Sequence, residues 1–143
     1  MSRWFSEEQF RCPCCGGLKI DDRLIDMLDG AVAQLESVVG EVREVVVTSG
    51  YRCEAHNRDV GGYHKSFHLI GKAADTMPRV VGVDAVDVMR LWFFALIRAG
   101  FNGVGYTNGY AVHADMREYP GVSPQVWAPK RKVIGGKYYY LLK

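Results

Sequence analysis

The chain has 143 residues, of which 48% are hydrophobic, 24% charged and 12% aromatic, and its formal net charge is +2. This composition is typical of a folded globular domain and excludes a largely disordered chain. The longest unbroken apolar run, residues 91–97, is far shorter than the ~20 residues of a membrane-spanning helix, so we expect no membrane span. Because the net charge is small, we expect no nucleic-acid partner.

Hydrophobic periodicity predicts two helices and an intervening strand. Residues 21–39 place their apolar side chains on one helical face, which predicts an amphipathic helix. Residues 43–48 are short, β-branched and followed by Ser49-Gly50, as in a buried strand. A second helix is predicted from about Asp84 to Ala99, ending at Gly100.

Two hairpins are predicted in the second half of the chain. Asn108-Gly109 lies between alternating segments and predicts a two-residue type I′ turn, in which Tyr106 pairs with Ala111 and Val104 with His113. A second hairpin is expected around Gly135-Gly136. The first register would place on one face Tyr106, Ala111, His113, Asp115 and Arg117.

These elements predict a single α+β domain over residues 1–143, with an antiparallel sheet and helices packed against it. It would comprise a cysteine-containing N-terminal segment (1–20), a catalytic core (43–117) and a basic C-terminal hairpin (129–143). No acidic residue follows Glu118. The hairpin is therefore either a solvated basic surface or a patch that attracts a polyanion such as a cell-wall polymer or nucleic acid. The basic residues concerned are Lys130, Arg131, Lys132, Lys137 and Lys143.

The most informative segment is Ser66-Phe-His68-Leu-Ile-Gly71-Lys-Ala73-Ala-Asp75. Imidazole and carboxylate are both ligands for a divalent metal, and Gly71 with the small residues after it lets the chain turn back. His113 on the predicted hairpin supplies a third candidate ligand. Three protein ligands with an open position are typical of catalytic zinc, and His68, Asp75 and His113 would form such a triad. Taken singly, each is more typical of a half-buried histidine or a turn-forming aspartate.

Several motifs follow one another in a recognisable order. They are Ser49-Gly-Tyr-Arg52, His56-Asn57, Val60-Gly61-Gly62, Ser66-x-His68-x-x-Gly71-x-Ala73-x-Asp75 and Val112-His113-Ala-Asp115. Together they resemble the zinc D-alanyl-D-alanine carboxypeptidase and dipeptidase superfamily, in particular the peptidoglycan peptidases of bacteriophages and prophages, which share the hedgehog-type fold. The opening Glu8-Gln-Phe-Arg-Cys12-x-Cys14-Cys15-Gly16 also resembles the phage branch.

The resemblance implies a function and roles for individual residues. The protein would be a zinc metallopeptidase that hydrolyses an amide bond next to a D-amino acid in peptidoglycan stem peptides or cross-links, using zinc-activated water. His68, Asp75 and His113 would bind the zinc. Arg52 would steady the substrate carbonyl or the oxyanion formed from it, and Ser66 would hydrogen-bond substrate or order its loop.

One departure from the family pattern concerns the general base. The dipeptidase branch has a glutamate three residues before the third ligand, where this chain has Tyr110, which does not deprotonate water at neutral pH. We favour Asp115 as the base, with an alternative in which it orients His113. Arg117 either holds a substrate carboxylate or pairs with a neighbouring acid, and Tyr106 is a further substrate-binding candidate.

The four cysteines all lie in the first 53 residues. One of the first three could form a disulfide with Cys53, or the group could hold a second, structural zinc ion. Buried thiols in a reducing compartment are a third interpretation. The residues concerned are Cys12, Cys14, Cys15 and Cys53.

Alternatives to an enzyme are a catalytically weak, zinc-stabilised module that binds cell-wall peptide, and a structural component of a phage particle. The first residues lack the apolar stretch of a secretory signal. We therefore expect a protein that stays cytoplasmic until a pore releases it, as an endolysin does, or that is carried in a phage particle. We also expect it to be a monomer. The sequence leaves open which bond is cut.

Overall fold

The structure is a computed structural model that describes residues 2–107, 109–118, 125–127, 131–134 and 137–140. Two 3₁₀ helices lie at Glu7–Phe10 and Phe67–Ile70. The α-helices in these ranges are α1 (Leu24–Val39), α2 (Glu54–Asp59) and α3 (Ala85–Arg98). The strands are β1 (Val42–Ser49), β2 (Ala73–Val80), β3 (Gly103–Tyr106), β4 (Val112–Asp115), β5 (Gln125–Trp127), β6 (Arg131–Ile134) and β7 (Lys137–Tyr140). None of the helices in the described ranges is long and apolar enough to cross a bilayer.

Five strands form the main sheet, in the order β1-β2-β4-β3-β5. The first four pair antiparallel, as predicted, whereas β5 runs parallel to β3. Strand β5 lies on the edge of β3 that β4 leaves free, and it runs in the same direction as β3. The α+β class is confirmed, and the sheet is mixed instead of purely antiparallel.

Both long helices bury the face that the periodicity predicted. Helix α3 packs against β2, β3, β4 and α1, while α1 also contacts β1. The Asp84 side chain caps α3 by accepting the Val86 N–H at 2.9 Å, as favoured at this position. The shared core includes Leu24, Leu28, Val32 and Leu35 from α1 and Met89, Trp92, Phe93 and Leu96 from α3.

The predicted register of the first hairpin was wrong by one residue. Tyr106 pairs with Val112, and Gly105 pairs with His113. The loop is closed by Thr107, whose N–H and hydroxyl both donate to the Ala111 carbonyl, at 3.3 and 2.6 Å. Because a shift of one residue reverses the faces of a strand, Tyr106 lies on the side opposite His113.

Burial of an aromatic ring accounts for the observed register. The Tyr106 side chain is only 9% exposed and stacks on Phe93 with ring centroids 4.6 Å apart. Stacked aromatic pairs contribute about 0.5–1.5 kcal/mol beyond the area that they bury. This packing outweighs the preference of Asn108-Gly109 for a two-residue turn, and Asn108 itself lies outside the described residues. Tyr106 therefore belongs to the core and not, as predicted, to a substrate-binding surface.

The second predicted hairpin is present as β6 and β7, which pair antiparallel. Its turn at Gly135-Gly136 lies outside the described residues, as do the side chains of the basic residues after Glu118. The choice between a solvated surface and a polyanion-binding patch therefore stays a prediction.

Gly71 makes the turn that leads from the second 3₁₀ helix into β2. Its φ of +73° is left-handed, and its carbonyl accepts the Asp21 N–H at 2.9 Å. A Cβ at this position would overlap the backbone of Lys19. Glycine is thus required where the chain turns between His68 and Asp75.

Replacing Gly71 with alanine is expected to lower the free energy of unfolding by about 2–5 kcal/mol. A left-handed conformation costs a non-glycine residue roughly 1–2 kcal/mol, and overlap with packed backbone adds roughly 1–3 kcal/mol. Gly61→Ala is the matched control, because Gly61 has a φ of +71° but no atom within 4 Å of an added Cβ. Gly61→Ala should lose only the roughly 1–2 kcal/mol that the left-handed conformation costs. Urea denaturation measures both, and equal losses would contradict the role given to the close approach.

Candidate metal centre

The candidate centre lies along one row of the main sheet. Ser49 pairs with Asp75, Asp75 with His113, His113 with Gly105, and Gly105 with Trp127. Residues paired across neighbouring strands project from the same face. The row therefore gathers these side chains on one side of the sheet, and glycine at position 105 leaves the room that the Trp127 indole occupies.

His68 reaches this face from the 3₁₀ helix and is 2% exposed. Its Nδ1 lies 2.7 Å from the Gly50 carbonyl oxygen. Because a carbonyl only accepts, this contact assigns the ring proton to Nδ1 and leaves a lone pair on Nε2. Ser66 orders the same turn, since its Oγ accepts the His68 backbone N–H at 3.2 Å. That contact matches the loop-ordering alternative for Ser66.

Three ligand-type atoms converge at the centre of the row. His68 Nε2 lies 3.2 Å from Asp75 Oδ1 and 3.2 Å from His113 Nδ1, and the latter lies 2.9 Å from Asp75 Oδ1. Ligands about 2.0–2.1 Å from a tetrahedral zinc ion would be separated by about 3.3 Å. The structure thus brings the three predicted ligands together at spacings close to those of a metal site.

The protonation of the two imidazoles favours a cation at this point. His113 Nε2 lies 2.7 Å from Asp115 Oδ2, which assigns its proton to Nε2 in the neutral ring and directs the Nδ1 lone pair toward Asp75. The Arg52 guanidinium, with Nη2 3.4 Å from Asp75 Oδ2, favours the ionised form of this buried carboxyl group. A carboxylate and two lone pairs therefore face one another, and a divalent metal satisfies all three.

Asp115 lies on the far side of the His113 ring from these atoms. It is 0% exposed and contacts Nε2, whereas the ligand atom is Nδ1. Burial raises its pKa, but Arg117 and His113 outweigh burial and lower that pKa to about 2. A carboxylate that is buried, weakly basic and behind the ring is poorly placed to act as the general base. These features favour the alternative in which Asp115 orients His113.

Arg117 is committed to neighbouring protein groups. It donates from Nε and Nη2 to the two Asp115 carboxylate oxygens, at 2.8 and 2.7 Å, and from Nη1 to Gln125 Oε1 at 2.7 Å. Its guanidinium also lies 5.1 Å from the ring centroids of Phe67 and Trp127. Arg117 thus pairs with a neighbouring acid, Asp115, which was one of its two predicted roles. Its guanidinium is not directed at a site for a substrate carboxylate.

Arg52 lies beside the ligands with its fork held by three acceptors. Nε donates to Ser49 Oγ at 2.9 Å, Nη1 to Asn57 Oδ1 at 3.3 Å, and Nη2 to Asp75 Oδ2 at 3.4 Å. Since a guanidinium has five N–H donors, one on each terminal nitrogen remains for a substrate oxygen. Asn57 is itself buried and donates to the Tyr63 carbonyl at 2.9 Å. Asn57 thus braces the Arg52 side chain.

A groove of about 580 Å³ opens beside Arg52 and Ser66. Its lining contains three cationic side chains and a single carboxylate, so its electrostatic potential favours an anionic ligand. The lining residues are Lys19, Tyr51, Arg52, Glu54, His64, Lys65, Ser66, Leu69 and Ile70.

Trp127 lies at the centre but was not among the site residues predicted from the sequence. Its ring centroid lies 5.2 Å from that of His113, and 39% of the residue is exposed. It forms an aromatic wall of the centre from β5. No local signal identifies it, because its position depends on the parallel pairing of β5 with β3.

A second group of metal-ligating side chains lies near the N-terminus. The sulfurs of Cys12, Cys15 and Cys53 lie within 4.8 Å of one another, and all four cysteines are free thiols. Burial opposes ionisation of Cys12, but backbone N–H donors lower the pKa of its thiol to about 7. Of the three interpretations of the cysteines, the structure does not contain the disulfide, since Cys12 Sγ and Cys53 Sγ lie 3.7 Å apart.

Comparison with known families agrees with the geometry. The family model described as Peptidase M15 matches residues 9–115, which is well over half of the 143-residue chain and includes all three candidate ligands. A search of curated proteins gives no match. Members of this family are zinc-dependent peptidases, and the donor set at His68, Asp75 and His113 fits that metal. The chain belongs to the peptidase M15 family, within the zinc D-alanyl-D-alanine carboxypeptidase superfamily that its motifs resemble.

Proposed function

We propose that this protein is a zinc peptidase that hydrolyses an amide bond next to a D-amino acid in peptidoglycan stem peptides. The observation that carries the proposal is the convergence of His68 Nε2, Asp75 Oδ1 and His113 Nδ1 at 2.9–3.2 Å, beside a cationic groove. Membership of the M15 family supports the reaction class. The resemblance of the motifs to phage and prophage enzymes supports the substrate class.

Zinc bound by these ligands would polarise the scissile carbonyl and lower the pKa of a water molecule to near 7. The two remaining N–H donors of Arg52 would hold the substrate carbonyl and stabilise the negative charge that develops on its oxygen. Because Arg52 is fixed by Ser49, Asn57 and Asp75, little reorganisation is needed as that charge develops. Trp127 lies beside His113, at the end of the strand row opposite Arg52, and would shield that side of the centre from water.

The groove fits a peptide that carries free carboxylates, as stem peptides do. Lys19 and Lys65 line it together with Arg52, against Glu54 as the single acidic residue. Complementary charge raises the local concentration of such a substrate and speeds its association, in a manner that salt screens. Binding of stem peptide should therefore weaken as ionic strength rises.

Asp115 is assigned the role of orienting His113 in this proposal. Asp115→Asn is expected to weaken zinc binding by about 10- to 100-fold, because the amide no longer accepts the His113 N–H as a charged partner. Activity should fall in parallel and recover at saturating zinc. Zinc titration with a competing chelator, combined with turnover measured at each zinc concentration, checks both expectations.

A different outcome would restore Asp115 as the base. In that case the asparagine variant would bind zinc with unchanged affinity and stay inactive at saturating zinc. Asp87→Asn is a suitable control, since Asp87 lies on α3 and pairs with Arg90, outside the candidate centre. It should alter neither zinc affinity nor turnover.

The proposed activity is tested by digesting purified cell walls and identifying the products by mass spectrometry. Release of a terminal D-amino acid would identify a carboxypeptidase, and separation of cross-linked dimers would identify an endopeptidase. The products should disappear with a chelator and return with zinc. Retention on cell walls without any cleavage product would favour the alternative of a zinc-stabilised binding module.

We also propose that the enzyme acts on the wall as a phage or prophage lytic protein, which would reach it through a membrane pore or within a particle. The support is the likeness of the motifs at Glu8–Gly16 and Ser66–Asp75 to the phage branch. Genes for a pore-forming or capsid protein beside its own would agree with this proposal, and a neighbourhood of host wall-synthesis genes would contradict it.

A further inference from the structure

A tight turn near the N-terminus holds two cysteines close to a third from elsewhere in the chain. In the segment Cys12-Pro-Cys14-Cys15-Gly16-Gly17, the Cys12 N–H donates to the Gly17 carbonyl and the Gly16 N–H to the Cys12 carbonyl, each at 2.8 Å. Gly16 supplies the left-handed residue of the turn, with a φ of +71°. Cys53 approaches from the loop after β1.

The sulfur spacing matches a metal site and not a disulfide. Cys12 Sγ and Cys53 Sγ lie 3.7 Å apart, and Cys15 Sγ is within 4.8 Å of both. Thiolates about 2.3 Å from a tetrahedral zinc ion would be separated by about 3.8 Å. A disulfide requires about 2.05 Å. The Cys12-x-x-Cys15 spacing is also one that zinc sites use.

Each of the three sulfurs accepts a backbone N–H. The Cys53 N–H donates to Cys12 Sγ at 3.5 Å, the Gly17 N–H to Cys15 Sγ at 3.3 Å, and the His56 N–H to Cys53 Sγ at 3.4 Å. A neutral thiol is a weak acceptor, whereas hydrogen bonds to a charged acceptor are roughly twice as strong as those between neutral groups. When thiolates ligate a metal, each of these three sulfurs would therefore keep a backbone N–H as an additional hydrogen-bond partner.

We propose that Cys12, Cys15 and Cys53 bind a second metal ion, most naturally zinc. The three thiol protons pass to solvent as the metal binds, and solvent completes the coordination. Cys14 is exposed and lies outside the group. This site is separate from the His68, Asp75 and His113 centre and does not depend on the proposed peptidase activity.

The position of this thiolate site gives it a mechanical role. Cys53 directly follows Arg52, and the neighbouring Tyr51 N–H donates to the Phe10 carbonyl at 2.8 Å. Gly50, whose carbonyl holds His68 Nδ1, is in the same loop. A metal at the thiolate site would clamp the N-terminal segment to the loop that positions both His68 and Arg52.

Cobalt titration of the full chain in a non-thiol reductant tests the proposal. Only the thiolate site produces intense thiolate-to-cobalt charge-transfer absorption, because the other centre has nitrogen and oxygen ligands. Wild type and His113→Ala should both show the band. Cys15→Ser and Cys53→Ser should lose it, whereas Cys14→Ser, the matched control, should keep it.

Zinc content provides the second readout. Wild type should hold two zinc equivalents, and Cys15→Ser should hold one while retaining the wild-type circular dichroism spectrum, since Cys15 is exposed. The proposal is overturned if wild type shows no charge-transfer band, if Cys14→Ser loses the band, or if the reduced protein holds a single equivalent that His113→Ala removes. That last result would rule out the thiolate site but would still support the zinc site at His68, Asp75 and His113.

Discussion

Replacing His113 with alanine is expected to remove zinc from the peptidase centre and reduce hydrolysis to background. The change deletes one of three converging ligands, and a catalytic zinc site needs three protein ligands to hold the ion. The loss in zinc affinity should therefore exceed the ~10- to 100-fold cost of losing a residue that only orients a ligand. Equilibrium dialysis against a chelator and turnover on cell-wall fragments measure the two effects.

His64→Ala is the matched control for zinc binding in that experiment. His64 lines the groove but lies outside the three-residue group, so the variant should bind zinc as wild type does. Circular dichroism should show that the His113→Ala chain is folded. A folded His113→Ala protein with unchanged zinc affinity would remove His113 from the ligand set.

Replacing Arg52 with alanine is expected to lower kcat by about 10²–10³ while zinc binding is retained. In the proposed mechanism Arg52 would offer its two remaining N–H donors to the oxygen on which charge develops, and removing one such donor typically costs this much. Arg52→Lys should recover little of the loss. An ammonium cannot reproduce the planar fork that contacts Ser49, Asn57 and Asp75.

Arg58→Ala is the matched control for charge, because Arg58 is an exposed arginine on α2, the helix that begins two residues after Arg52. It should leave kcat unchanged. If Arg52→Ala retained wild-type kcat and only raised KM, Arg52 would contribute equally to ground-state and transition-state binding, and its oxyanion role would be wrong.

Two of the three candidate ligands lie in one short segment of the sequence, and this proximity allowed their convergence to be predicted. His68, Gly71 and Asp75 lie within eight residues, and the left-handed Gly71 is the feature that folds this segment back on itself. The two long helices could likewise be predicted, since their apolar spacing follows the helical repeat and each buries the expected face.

What could not be predicted depends on tertiary packing. The stacking of Tyr106 on Phe93 fixed a hairpin register that the turn residues alone did not indicate. The parallel pairing of β5 brought Trp127 over Gly105, from a segment with no local motif. In both cases contacts between segments far apart in the sequence decided the position of a side chain.

The role of Asp115 shows the same limit at finer scale. Strand alternation correctly placed it on the same face as His113. Alternation does not specify which ring nitrogen the carboxylate contacts. That choice depends on the orientation of the imidazole, which Asp75 and Asp115 fix from opposite sides.

The most direct test of the metal centre is an anomalous difference map, recorded at the zinc edge from crystals grown with zinc. The account predicts a peak about 2.0–2.2 Å from His68 Nε2, Asp75 Oδ1 and His113 Nδ1 together. A map from zinc-saturated crystals with no peak at these three atoms, or with zinc bound only elsewhere, would contradict it.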